Sequence, residues 1–336
     1  MRQVHQSDGP LTGGAPRFTG MGTILSATRA VLLATTVGSA LLSAAIPTGA
    51  QPAEPAAGVV RHSAEESESA QRRAHAYWTP ERMRAARPVE EYTAAGRAAA
   101  PPPHADGKPW PGGKQAVRTT GQLFLVVSGG RPASCTAAVV ESGSEDVVAT
   151  AAHCVHLAES GGWSERMVFV PGYEGGRAPY GEFPARRAAV SAAWMEDEDP
   201  DEDYAFVRLA ASDRGHVADV VGARPASFTP SPHRETVVLG YPADPPFDGE
   251  SVQYCSGAAL ASPYVNNPRQ HYVKPCYFTP GASGGPWYTG FDAATGKGVQ
   301  TGVTSAKPVG PGGDAYVFGA MFDAMAERLL HAADSP

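Results

Sequence analysis

The sequence predicts an all-β domain closed by one C-terminal helix, preceded by a separate N-terminal region. Three observations carry this. From about Lys114 onward the chain is a series of short apolar runs bounded by Gly, Pro or charged clusters; only one stretch there has helical spacing; and before residue 113 the texture is different, dominated by Ala, Pro, Glu and Arg.

In chain order the clearest runs are LFLVV at 123–127, CTAAVV at 135–140, VVATAA at 147–152, MVFV at 167–170, YAFVRL at 204–209 and TVVLG at 236–240. Runs this short, rich in β-branched residues and bounded by turn formers, read as strands. The helical stretch is AMFDAMAERLLH at 320–331, with Met321, Met325 and Leu329 on one face.

The region before them divides in two. AVLLATTVGSALLSAAI at 30–46 follows Arg29 and is followed by the small residues Thr48 and Ala50, the form of a secretory signal over 1–50 cleaved near Ala50. An uncleaved anchor is the alternative, at the lower end of the roughly 17–25 residues a span needs. Residues 51–113 read as a pro-segment ending in the proline-rich linker AAAPPPHADGKPWPGG. Within it Thr79 is placed to cap a short helix with Pro80 at its first position, running to about Arg87 and stopping before Pro88. Whether that helix docks or belongs to a solvated stalk is open at this level.

The composition, 42% hydrophobic and 8% aromatic, excludes a disordered chain and a membrane bundle. A net charge of -7, without a basic stripe interleaved with aromatics, argues against nucleic acid as partner. Four cysteines lie in two close pairs, Cys135 with Cys154 and Cys255 with Cys276, and leave three connectivities open. Export favours disulfides, each contributing about 3 kcal/mol for loops of this size.

Gly281-Ala282-Ser283-Gly284-Gly285 matches the G-x-S-x-G nucleophile elbow. An ester hydrolase built on that elbow needs the order Ser, acid, His, which Ser283, Asp314 and His331 supply. Its context is wrong: Gly284, Gly285 and Pro286 start a helix badly, and no alternating βαβ pattern precedes them. The order His, Asp, Ser has better candidates. Thr150-Ala151-Ala152-His153-Cys154 ends an apolar strand with a histidine, and Asp203 opens the strand YAFVRL.

Together TAAHC, DYAFVRL and GASGGPW resemble the signature stretches of the chymotrypsin-like (trypsin-type) serine peptidases, over the chain from about Gln122 to the C-terminal helix. The resemblance implies two six-stranded antiparallel β-barrels with a C-terminal helix over 114–336. It also implies hydrolysis of polypeptides through an acyl-enzyme, with Ser283 as nucleophile, His153 as its base and Asp203 orienting the imidazole. The N–H groups of Gly281 and Ser283 would form the oxyanion hole, and the disulfides would be Cys135–Cys154 and Cys255–Cys276. This chemistry needs no cofactor and no metal; the enzyme is expected outside the cell, as a monomer free of the membrane once the signal is removed.

The sequence also departs from that family's digestive members. It has no Ile-Val-Gly-Gly start before Leu123, and Ala282 stands where their activation requires an aspartate, so that activation route is closed. Ala282, VLGYP at 238–242 and YCSG at 254–257 are more similar to the bacterial secreted branch that includes the V8-type glutamyl endopeptidases. Tyr277 replaces the aspartate expected at the pocket base of a trypsin, which argues against cleavage after Arg or Lys. Thr304, Ser305 and Lys307 are expected along the pocket wall, where Lys307 would favour an acidic side chain, although the V8-type histidine is replaced by Thr304.

The acidic run at 196–202 has three readings: a solvated loop, a negative rim for basic substrates, or a calcium site. A metal set of His153, Cys154 and His156 conflicts with a Cys135–Cys154 bond. A catalytically silent binding protein on the same fold is the remaining alternative to an enzyme.

Overall fold

In a computed structural model that describes residues 58–93, 107–160, 162–306 and 316–335, the region before the barrels is folded against them. The expected signal lies outside the described residues, as do Lys307 and Asp314. The chain enters through β1 (Val59–Ser63), α1 (Glu68–Tyr77), α2 (Pro80–Ala85) and β2 (Arg87–Pro88), followed by a single 3-10 turn over Val89–Tyr92. Thr79 caps α2 as its sequence predicts, accepting from Arg82 N, and the helix ends two residues earlier than Arg87.

After β3 (Lys108–Pro109), the strands β4 (Thr120–Val127), β5 (Arg131–Val139) and β6 (Val147–Thr150) begin the first barrel. A small side pair, β7 (His156–Leu157) with β8 (Gly162–Trp163), interrupts it before β9 (Glu165–Pro171), β10 (Phe183–Ser191) and β11 (Ala205–Leu209). The ring closes in the order β4, β5, β6, β11, β10, β9, all antiparallel. The second barrel uses β12 (Arg234–Gly240), β13 (Gln253–Ala261), β14 (His271–Val273), β15 (Pro286–Thr289), β16 (Val299–Ala306) and β17 (Val317–Met321). It closes as β12, β15, β16, β17, β14, β13, again antiparallel throughout, so the two six-stranded barrels are present. Both disulfides, Cys135–Cys154 and Cys255–Cys276, are formed.

The continuous apolar run in β4 has a physical cause. Leu123, Leu125 and Val127 face the barrel interior, whereas Phe124 and Val126 face outward beneath Trp78 and Met83 of the leading segment. That segment also adds β1 to the far half of β10 and places β2 parallel to β5. It is a docked strap and not a solvated stalk.

The C-terminal helix spans Ala324–Asp334, later than the 320–331 its spacing predicts. Met321 is the last residue of β17, and Asp323 accepts from the N–H groups of Met325 and Ala326, which fixes the helix start. The helix buries Ala326, Leu329 and Leu330 against Phe206 and Phe322, so it returns from the second barrel to cover the first. Among the described residues no helix is long and apolar enough to cross a membrane.

Candidate active site

His153 lies in the single helical turn Ala152–Val155 that follows β6, tethered through the neighbouring Cys154 to Cys135 on β5. Asp203 lies between the 3-10 turn Pro200–Glu202 and β11. Its Oδ2 accepts from His153 Nδ1 at 2.8 Å and its Oδ1 from the His153 backbone N–H at 2.9 Å, so one carboxylate fixes both the ring and the main chain that carries it. An acceptor at Nδ1 places a ring proton there and leaves Nε2 for a second partner. Ser305 Oγ donates to the same Oδ2 at 2.6 Å.

Burial opposes the charge on His153, but the field of Asp203, its hydrogen bond and the carboxylates of Glu90 and Glu198 outweigh it and push the imidazole up to about 9. Burial likewise works to raise Asp203. The attraction of His153 and the bonds from His153 and Ser305 prevail and hold that carboxyl below its ordinary range.

Ser283 follows β14 in a loop stitched to both barrels. Its carbonyl accepts from Thr136 N of β5 at 2.8 Å, and Gly284 N donates to Thr304 O of β16 at 2.8 Å. The neighbouring glycines are required: Gly281 and Gly284 have φ of +98° and +81°, and a Cβ on Gly284 would sit 2.2 Å from both Thr136 O and Thr150 Oγ1. The fold thus brings His153, Asp203 and Ser283 together from two barrels.

The Ser283 hydroxyl is turned toward a residue that the motif reading did not find. Ser283 Oγ donates to Glu90 Oε1 in a very short hydrogen bond, and Gly281 N donates toward Glu90 Oε2 and Oε1 at 3.3 and 3.4 Å. His153 Nε2 is 3.9 Å from Glu90 Oε1 and has no hydrogen-bond partner among the described residues. Residue 90 follows Pro88 in VEEY, and nothing in that short run marks it as part of a site 193 residues away.

The expected pocket residues divide. Tyr277 follows Cys276 and is half-buried. Thr304 is buried, with its hydroxyl accepting from Trp287 Nε1 at 3.1 Å, and Ser305 is buried with its hydroxyl donating to Asp203. Only the first part of the acidic run is solvated: Glu196 and Asp197 are exposed at the end of a short helix, whereas Asp201 and Glu202 are buried, and Arg269 pairs with Asp199, Asp201, Glu202 and Asp323. Asp199, Asp201 and Glu202 are thereby engaged by an arginine. Cys135 and Cys154 lie near His153 in a set with the spacing of metal ligands, but as a disulfide they offer no thiolate. His331 is exposed on the C-terminal helix, away from the residues which that helix buries, and its carbonyl accepts from Ser335. It is not brought to Ser283 as an elbow hydrolase would require.

Comparison with known proteins identifies the family of the fold. Residues 135–296 match the trypsin-like peptidase domain. The crystal structure of protease Anisep from Arthrobacter nicotinovorans is 31% identical, and the match covers 65% of this chain and 97% of that one, with a TM-score of 0.58. The chain belongs to the trypsin-like serine peptidases. Within this family it also resembles the thermostable serine protease AL20 from an extremophilic microorganism, at 28% identity over 66% of this chain and 100% of that one, with a TM-score of 0.59. A Glu endopeptidase solved with MPD shares the fold at 17% identity, over 70% and 99% of the two chains, with a TM-score of 0.55. No curated protein sequence matches the chain. As a trypsin-like serine peptidase the protein is a serine endopeptidase, and its substrates are polypeptides.

Proposed function

We propose that the protein is an exported endopeptidase, made as a zymogen with a signal over 1–50 and a pro-segment over 51–113, whose domain over 114–336 cleaves peptide bonds through His153, Asp203 and Ser283. The observation that carries this reading is the double hold of Asp203 on His153, which leaves Nε2 free on the side of Ser283. In this mechanism Nε2 of the neutral imidazole, the form that acts as base, takes the Ser283 proton as Oγ adds to the substrate carbonyl, and the N–H groups of Gly281 and Ser283 receive the oxyanion. His153 then gives the proton to the leaving amine. Water, activated by the same imidazole, releases the acid from Ser283. Asp203 keeps the ring oriented and stabilises its charged form.

No cofactor enters these steps. Two formed disulfides support action outside the cell, where such bonds persist, and the enzyme is proposed to act as a monomer. Tyr277, in a position where a carboxylate would select basic side chains, supports cleavage after residues other than Arg or Lys.

Prolonged treatment with a fluorophosphonate, followed by mass spectrometry, tests the assignment. The expected product carries the label on Ser283, His153→Ala abolishes it and His331→Ala does not. Labelling that requires His331, or none at all, would remove the reading.

A further inference from the structure

We infer that residues 58–93 are a built-in inhibitor of this active site, with the Glu90 carboxylate as the plug that keeps Ser283 from its base. The inference rests on the triad proposed above and extends it to regulation. Three groups reserved for catalysis converge on one side chain: Ser283 Oγ and Gly281 N both donate to the Glu90 carboxylate, and His153 Nε2 faces it across 3.9 Å. A carboxylate there imitates the reaction's own anion. It offers negative oxygen to an N–H arranged for an oxyanion, next to an imidazole that becomes cationic during the reaction. Because a carboxylate is a poor electrophile, Ser283 can hold it without being acylated by it.

The residues around Glu90 keep it in place. On its N-terminal side, β2 pairs with Ala133 and Ser134 of β5, and Val89 is fully buried in the core of the first barrel. On its C-terminal side, Tyr92 Oη donates to Pro132 O at 2.8 Å, and the Arg131 guanidinium lies over the Tyr92 ring at 4.3 Å. Glu91, the adjacent acid, points elsewhere and makes a two-point pair with Arg87. Of two successive glutamates only one is delivered to the site, and its backbone is fixed on both sides. β1, α1 and α2 anchor the strap at a distance, so the plug competes with substrate from within the same molecule, at a high effective concentration.

The strap does not lie as a substrate would. Next to the site its backbone runs parallel to β5, through β2, and the group held by Ser283 is a side-chain acid without a scissile bond. Activation therefore requires that Glu90 leave the site, whatever becomes of the anchors.

The test uses the full-length chain, with residues 58–93 verified as present by intact mass, in wild-type, Glu90→Ala, Glu90→Gln and Glu91→Gln forms. Fluorophosphonate labelling of Ser283 and hydrolysis of a mixed peptide library are measured, with near-ultraviolet circular dichroism to confirm the fold. Glu90→Ala is expected to label and cleave at least tenfold faster than wild type, Glu90→Gln to show an intermediate gain, and Glu91→Gln to match wild type. Equal, measurable rates in wild-type and Glu90→Ala proteins would overturn the inhibitor while leaving the peptidase assignment intact. Folded Glu90→Ala protein that takes no label would overturn both.

Discussion

Ser305, on the second barrel, donates its hydroxyl to Asp203, on the first, at 2.6 Å. The acid that orients His153 is thus itself oriented across the seam between the barrels, and the proposed site depends on how the barrels meet. Three acceptor contacts, from the His153 ring, the His153 backbone and Ser305, hold one buried carboxylate in its charged form.

Ser305→Ala should therefore impair catalysis without emptying the site. Loss of a hydrogen bond to a charged group is worth about 1.5–3 kcal/mol, or roughly tenfold to a hundredfold. Measured in the Glu90→Ala background, kcat/KM should fall within that range, mostly through kcat, and Ser305→Thr should recover part of it. An unchanged kcat would mean that Asp203 needs no support from the second barrel.

The raised imidazole gives the stability a defined dependence on pH. His153 titrates higher when folded, at about 9 against an ordinary 6.5, so its contribution is complete below 6.5 and is lost as pH rises through about 9. Asp203 titrates lower when folded, so its contribution is complete above 3.8 and is lost as pH falls through the depressed value. Both are present between 3.8 and 6.5, and thermal melting should show its plateau there. Because Glu90 contributes to raising His153, Glu90→Gln should lower the midpoint seen in the imidazole NMR signals; an unmoved midpoint would show that the carboxylate does not act on that ring.

Arg269 gives a prediction about calcium. It pairs with four carboxylates, and burial raises Asp201 above its ordinary range even beside that guanidinium. Millimolar calcium should leave the melting temperature of the parent unchanged. Arg269→Ala should cost about 1–2 kcal/mol, a value discounted for the partly exposed guanidinium, in urea denaturation. A calcium-dependent rise in the parent would show that the cluster prefers a metal to the arginine.

Trp78 tests the anchor separately from the plug. It is buried against Phe124, and its Nε1 donates to Arg166 O at 2.7 Å. Trp78→Ala should cost about 3–5 kcal/mol and increase binding of a hydrophobic dye as Phe124 and Val126 become accessible. If the variant melts like wild type, the strap contributes no stability through that helix.

The sequence made some features legible because their causes are local. His153 just after β6, Asp203 just before β11 and Ser283 among glycines all lie in stretches whose own residues indicate strand, turn and chemistry. The strands β13 and β15 to β17 were harder to read, because Gly, Ala and Ser dilute their alternation and Pro286 opens β15; barrel closure supplies what propensity does not. Met321 fits a helical stripe and a strand end equally well, and only the Asp323 cap decides between them.

The least legible contacts join residues far apart in the chain. Glu90 and Ser305 act on partners 193 and 102 residues away, and neither has a flanking pattern that points to them. One indirect signal existed. LFLVV is apolar at every position, although a barrel strand with one face in water would alternate, and its outer face is the one covered by Trp78 and Met83.

The strap precedes the barrels in the chain, and this sets an order in time. A ribosome adding about 5–20 residues per second makes residue 90 roughly 10–40 s before it reaches Ser283. The blocking group is thus complete before the nucleophile exists, and each molecule is born restrained, without waiting for an inhibitor to diffuse to it. On the inferred role of Glu90, newly finished copies would carry their own block from the moment they fold.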